Sequence, residues 1–485
     1  MEKYRLPLLI LLLAFAVRVT ALNVRPVWYD EAFAFFLAEQ DLPRIALGTA
    51  ADTMPPLYYT LLHYWFPLVG TTPFALRMLS VALSMLTVAL IYGVGVRAFN
   101  SRVGTWAMFF TAVAPFEIYH AQEMRMYTAL AVGGTLYLHG VLGVVQKKGL
   151  GNWVPVIVGS VIALYSHNLA FLTLSAASVY FLLGRNWRGF AKLFVAQAVS
   201  ALVFLPWLLY VPTQLAKIER AFWTQPPGLV DLIQMLVVFT AYLPLPQVLF
   251  YLAVFVTLMI FAIALMRLLQ SCPTGESPPL VLILTFAVVP PGLMFILSYL
   301  IFPIFVARGV IVSSLAYYLL LALLVARARP QFRVGIGIFA IITAIVVLPY
   351  FYTSYGEWRR APFDASDAFL RGQFRPGDLI LHDNKLSFFP MHYYDSSLPQ
   401  EFLADPPGTA NDTLARGSME AFDLYPFSLD AAFRQYKRIW FVIFQTAIDQ
   451  APQEGHPNLA KFDAEMKRVS VTPFGDLRIY LYENR

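Results

Sequence analysis

The sequence predicts a polytopic α-helical membrane protein followed by a small α/β domain, and three observations carry that prediction. Of 485 residues, 59% are hydrophobic and 13% charged, where soluble domains carry about 25% charge. Eleven apolar runs have the length that crosses a membrane, whose hydrocarbon core is ~30 Å thick. Charge is also segregated: residues 1–353 hold 21 Lys/Arg and 11 Asp/Glu, whereas the last 132 hold 14 and 18. Residues 1–353 are therefore expected as a transmembrane domain and 354–485 as a second domain. The net charge of +6 arises wholly in the membrane part, so it reports lipid-flanking cations and argues against a nucleic-acid partner. A single cysteine, Cys272, excludes an internal disulfide and a thiolate zinc site.

The apolar runs fall at 6–22, 76–96, 103–119, 127–145, 153–166, 168–184, 190–211, 247–267, 279–300, 303–326 and 334–352. The first has a basic start but lacks a small-x-small cleavage site before Asn23, so it reads as an anchor rather than a removed leader. Basic residues mark alternate ends of the runs: Lys3/Arg5, Arg97/Arg102, Lys147/Lys148, Arg185/Arg188/Lys192, Arg267 and Arg327/Arg329/Arg333. These ends are cytoplasmic by the positive-inside rule. Of the acids in the membrane part, only Glu2 and Glu276 share that side. The expected product is a plasma-membrane protein with a cytoplasmic N-terminus, acidic chemistry on the outer face and an extracytoplasmic C-terminal domain.

Two outer loops are too long to be connectors. Residues 23–75 hold apolar residues at helical spacing over 29–47 and again over 57–69, after Pro55-Pro56, and read as amphipathic interfacial helices. Residues 212–246 carry Lys217, Glu219 and Arg220 and a further apolar run near 229–241. In the tail, 378–382, 438–444 and 477–482 read as strands between Pro/Gly/Asp-rich turns.

Carboxylates at a membrane surface are costly, so Asp30-Glu31, directly after the first run, is a functional candidate by default. Helix capping is the competing account, with Asp30 as N-cap and Glu31 at the positive end of the dipole. A second outer cluster runs from Glu117 to Tyr127 and gathers His120, Glu123 and Arg125. Glu123 and Tyr127 are one helical turn apart and can face one cavity. Tyr58, Tyr59, Arg77, His167 and Arg308 are the remaining outer candidates.

Tyr29-Asp30-Glu31-Ala32, Pro55-Pro56-Leu-Tyr-Tyr59, Phe74-Ala-Leu-Arg77 and the 118–127 cluster together resemble glycosyltransferase family 39. Its members include protein O-mannosyltransferases and the aminoarabinose transferase of lipid A. The resemblance covers roughly residues 5–185 well and the rest in topology only. It implies the C-type glycosyltransferase fold, a polyprenyl-phosphate-linked sugar donor, an essential carboxylate in the first outer loop and a variable C-terminal region. Met54 stands where many members have His, and Arg308-Gly309 is followed by Val-Ile-Val rather than by Tyr and prolines.

On that resemblance the expected reaction is sugar transfer to a lipid, glycan or protein acceptor at the outer face, with inversion. Asp30 is expected as general base or aligning group and Glu31 as its electrostatic support. Arg125, Arg308 and Arg77 would neutralise the donor phosphate, since a guanidinium binds phosphate bidentately. Glu123, His120, Tyr58, Tyr59, Tyr127 and His167 would line the substrate site. A divalent cation held by Asp30, Glu123 and His120 is the one cofactor these donors admit. The alternative classes are a lipid or sugar transporter and a non-catalytic assembly subunit. Against a transporter stand the missing two-fold hydropathy repeat and the uncharged centres of the later spans.

Overall fold

A computed structural model describes residues 2–221, 225–243, 245–271, 277–353, 361–406, 413–451 and 455–485. Cys272 and Glu276 lie outside the described residues. The helices begin with α1 (Glu2–Val19), α2 (Tyr29–Ala38), α3 (Leu42–Ala51), α4 (Leu57–Val69), α5 (Pro73–Ala98), α6 (Ser101–Val113), α7 (Pro115–Ala121), α8 (Tyr127–Val145) and α9 (Trp153–Ser166). They continue through α10 (Ala170–Leu183), α11 (Trp187–Leu208), α12 (Val211–Ala221), α13 (Leu229–Ala241), α14 (Gln247–Ser271), α15 (Ser277–Leu300), α16 (Ile311–Arg327) and α17 (Pro330–Thr353). The chain divides into two compact units, Met1–Thr20 with Thr53–Pro349, and Ala21–Asp52 with Tyr350–Arg485.

The first unit is all-helical. Among the described residues six helices are long and apolar enough to cross a membrane: Pro73–Ala98, Tyr127–Val145, Trp187–Leu208, Pro278–Leu300, Ala307–Arg327 and Pro330–Tyr350. Three of the eleven expected runs form helices of fewer than 18 residues. The run at 103–119 is cut where α6 ends and α7 starts at Pro115, which has no N–H to continue the ladder. The runs at 153–166 and 168–184 give helices of 14 residues each. Close approach holds the bundle together. A Cβ on Gly159 would lie 2.4 Å from the Tyr137 nitrogen, and one on Gly133 would lie 2.6 Å from the Ala163 nitrogen. Only glycine lets α8 and α9 touch backbone to backbone, as small residues do between membrane helices.

The second unit is an α/β domain whose remaining elements are α18 (Phe363–Gln373), β1 (Leu379–His382), α19 (Lys385–Tyr394), β2 (Gln400–Phe402), α20 (Arg416–Phe422), α21 (Leu429–Gln435), β3 (Arg438–Phe444), α22 (Gln445–Asp449), α23 (Pro457–Glu465), β4 (Met466–Phe474) and β5 (Leu477–Asn484). The sheet order is β2-β1-β3-β5-β4, with β1 parallel to β2 and β3, and β5 antiparallel to β3 and β4. Alternate residues of the central strands feed two cores, Leu381, Ile439 and Phe441 on one face and Ile380, Trp440 and Val442 on the other. Both faces are covered, as parallel pairing requires. The three expected strands are β1, β3 and β5. β4 escapes a hydrophobic-pattern reading because it is an edge strand whose Lys467, Arg468 and Ser470 are exposed.

Residues 21–52, expected as an outer loop of the membrane domain, group with residues 350–485 in the second compact unit. The cause is aromatic. In α2, Phe33 meets Phe422 at 5.0 Å, Phe35 meets Tyr393 at 5.1 Å and Phe36 meets His392 at 5.4 Å between ring centroids. Residues 31–38 are buried throughout, so α2 is a core helix of the second unit rather than an amphipathic helix lying in headgroups. By contrast α4 keeps an exposed apolar side, with Tyr64, Leu68 and Val69 open.

Candidate active site

In the first unit the outer cluster sits on α7 and the short turn before α8. Three hydrogen-bonding residues hold the end of α6, α7 and the turn that follows it. Arg18, fully buried near the end of α1, donates from Nη1 to the Ala112 carbonyl at 2.8 Å and from Nη2 to the Thr111 carbonyl at 3.0 Å. A guanidinium there satisfies carbonyls that the end of α6 leaves open. Gln122 donates to the carbonyls of Arg18 and Thr20 at 3.0 and 2.9 Å, and Ser314 of α16 donates to Glu117 Oε1 at 2.7 Å. The turn itself closes through Arg125 N–H to the Glu123 carbonyl at 2.8 Å.

This frame brings several expected residues together. His120 Nδ1 lies 3.6 Å from Glu123 Oε2, and both side chains are 3% exposed. The His120 ring is 4.9 Å from that of Tyr127, and Tyr127 is 6.0 Å from His167. Arg308, on a 3-10 turn at Ala307–Val310, places its guanidinium carbon 5.6 Å above the Tyr127 ring, a cation–π distance. Burial first, then the positive fields of Arg308 and Arg125, push the His167 imidazole down to about 3. His167 is neutral, and its Nδ1 accepts the Leu169 N–H at 3.0 Å. The ring proton must accordingly sit on Nε2, which is left as a hydrogen-bond donor.

Other expected residues are placed differently. Tyr58 is buried, and its hydroxyl shares a 2.7 Å hydrogen bond with Ser80 of α5, which makes it a packing residue of α4 on α5. Tyr59 stands beside it at 6.3 Å, also buried, and Arg77 is fully buried on α5. Asp30 and Glu31 belong to the second unit. There the N-cap of α2 is Trp28, with no side-chain cap bond, so Asp30 is the second residue of the helix rather than its cap. Asp30 is partly exposed and Glu31 buried. For a divalent cation, His120 and Glu123 would supply two donors, yet no group of three or more His, Cys, Asp or Glu able to hold a metal forms among the described residues.

Four residues that sequence reasoning passed over belong to this picture. Arg18 carried a readable signal, a charge inside an apolar run. Gln122 stood in the 118–127 motif without an assigned role; Tyr242 and Lys385 carried no signal, since their roles depend on distant elements. Tyr242 closes α13 at φ 61 and ψ 171, a conformation costly for any residue but glycine and commonest at functional sites. Its ring lies 4.7 Å from Tyr119 and 6.2 Å from His120.

The architecture defines a class: a helical unit with membrane-length apolar helices and a cluster of basic, imidazole and aromatic side chains, in a chain that also carries an α/β unit. The particular relatives agree with it. The family model for dolichyl-phosphate-mannose-protein mannosyltransferase matches residues 53–210. ArnT from Cupriavidus metallidurans in the apo state superposes with TM-score 0.67 at 12% identity, covering 98% of this chain and 97% of that one. The same protein bound to undecaprenyl phosphate gives 0.66 at 12% identity, with the same coverage. The Archaeoglobus fulgidus oligosaccharyltransferase AglB, in complex with an inhibitory peptide and a dolichol-phosphate, gives 0.55 at 13% identity, covering 100% of this chain and 74% of that one. No curated protein matches the sequence. The chain thus has the C-type glycosyltransferase fold, and the resemblance read from its motifs is borne out.

Proposed function

We propose that this protein transfers a sugar from a polyprenyl-phosphate donor to an acceptor hydroxyl or amide on the extracytoplasmic face, with inversion at the anomeric carbon. The observation that carries the reading is Arg308 stacked over Tyr127 beside His167, with the buried Arg125 two residues before Tyr127. Two guanidiniums and a neutral imidazole N–H in a buried setting suit a phosphate that gains charge as it departs. Undecaprenyl phosphate and dolichol-phosphate, each bound by a relative of the same fold, point to the same donor class.

In the proposed step the acceptor oxygen or nitrogen attacks the anomeric carbon from the face opposite the phosphate. Its proton passes to the Asp30 carboxylate, the bond from anomeric carbon to phosphate oxygen breaks, and the electron pair leaves with the polyprenyl phosphate. Arg125 and Arg308 neutralise that anion, and His167 Nε2–H donates to one of its oxygens. Glu31 supports Asp30 from inside the second unit, and the His120–Glu123 pair holds the turn that presents Arg125. One displacement with one base inverts the configuration. The test is incubation of purified protein with a panel of polyprenyl-phosphate sugars and an extract of envelope acceptors. Release of free polyprenyl phosphate together with a glycosylated product is expected; a panel left intact would overturn the reading.

A further inference from the structure

We propose that Lys385, contributed by the C-terminal α/β domain, is a positioning residue for the first turn of α2 and so for Asp30. The proposal rests on the reading of Asp30 as the base. Lys385 is the first residue of α19, and its side chain is fully buried. Its ammonium is paired with Asp405, itself 9% exposed, and lies 6.0 Å from the centre of the Tyr29 ring. Tyr29 opens α2 immediately before Asp30.

A lysine is almost never fully buried unless paired, and a buried ion pair is weak evidence for stability, because desolvation offsets its attraction. A role in specifying one arrangement fits better. One helical turn beyond Lys385, Phe389 meets Tyr29 edge-on at 5.4 Å and Phe36 at 5.8 Å. At the far end of α19 the Tyr394 hydroxyl accepts the Val27 N–H at 2.9 Å. Among the described contacts, one helix of the second unit thus meets the stretch entering α2 through Tyr394 at Val27, Lys385 at the Tyr29 ring and Phe389 beside that ring. The lysine acts on the ring by charge, from a buried pair whose partner Asp405 lies just beyond β2. A cation within about 6 Å of one ring centre adds an electrostatic preference for that ring's position to the aromatic contacts. The C-terminal domain thus sets where the Asp30 carboxylate stands.

The experiment uses the full chain in nanodiscs, with Lys385→Met, Lys385→Arg and Asp30→Asn variants, and reads amide hydrogen exchange together with single-turnover transfer. In Lys385→Met the amides of 30–34 should exchange about tenfold faster, while those of β3 keep their wild-type protection. Transfer should slow by about 10- to 100-fold, the cost of a misplaced catalytic group, with the donor KM within about twofold. Lys385→Arg should restore most of both. Unchanged exchange in α2 overturns the proposal, and so does faster exchange with an unchanged transfer rate when Asp30→Asn is inactive. Faster exchange together with an active Asp30→Asn upholds the positioning and overturns only the assignment of the base. If Lys385→Met does not fold, Tyr29→Leu leaves the ion pair and removes the ring; it should show the same faster exchange, and wild-type exchange there overturns the proposal.

Discussion

Replacing Asp30 by Asn separates a chemical role from a structural one, and the structure sets the size of each. Asp30 is the second residue of α2, behind a Trp28 N-cap that makes no side-chain cap bond. A carboxylate in the first turn interacts with the helix dipole by about 0.3–1 kcal/mol, and the amide loses at most that. Such a loss changes the folded-to-unfolded ratio by no more than about fivefold and leaves a stable protein folded. A general base is another matter, since its removal costs about 10²–10⁴-fold in rate, or roughly 3–5 kcal/mol of barrier. The two magnitudes do not overlap. The assay is single-turnover transfer from a radiolabelled polyprenyl-phosphate sugar by the Asn variant, beside its thermal stability in detergent. The expected outcome is a rate loss of about 100-fold or more with a nearly unchanged Tm. Activity within about threefold of wild type would refute the assignment, because no base loss is that small. Glu123, buried against His120, would then be the carboxylate to examine.

Three further outcomes are expected. Arg125→Lys and Arg308→Lys each keep the charge but lose the planar fork, so each should cut donor use by about tenfold or more; a Lys variant as active as wild type refutes the bidentate role. A cysteine at Ser396 in a Cys272→Ser background should react with an impermeant thiol reagent in intact cells while one at Ser101 should not, and the reverse pattern would invert the orientation. Burial, with Asp395 adding to it and Arg371 opposing, raises the Asp367 carboxyl from 3.8 to about 7, so its folded state prefers the proton. That contribution to stability is complete below about 4 and lost as pH rises through about 7. Asp367→Asn should accordingly gain Tm relative to wild type with rising pH across that window, and a difference independent of pH would refute the coupling.

Much of the fold was legible because its determinants are local. The apolar runs at 76–96, 127–145 and 279–300 became helices long enough to span, and 438–444 became the central strand β3. Where the reading failed, a distant partner had decided. Nothing local distinguishes α2, with its row of phenylalanines, from a helix lying among headgroups; the rings of Phe389, Tyr393 and Phe422, 353 to 389 residues further along the chain, make it a core element instead. β4 went unread for the complementary reason, because its Val469-Ser-Val-Thr472 alternation is short, flanked by Lys467, Arg468 and Pro473, and exposed at the sheet edge.

The site divides along the same line. His120, Glu123, Arg125 and Tyr127 share one turn of sequence, so one motif delivers them together, and the structure keeps them together on the α7–α8 turn. Arg308 and His167 join them only through packing, across 181 and 40 residues from Tyr127. Their types were readable as outer polar residues, but their convergence was not. Arg18 makes the point most sharply. Its guanidinium was visible as a charge in an apolar run, yet its use, holding the end of α6 so that α7 can turn at Pro115, exists only once two helices meet. Charge placed in a hydrophobic setting announces that a residue has a task; only the partners it acquires say what the task is. A search of such sequences for function does best to begin with these costly residues and to withhold their roles until their neighbours are known.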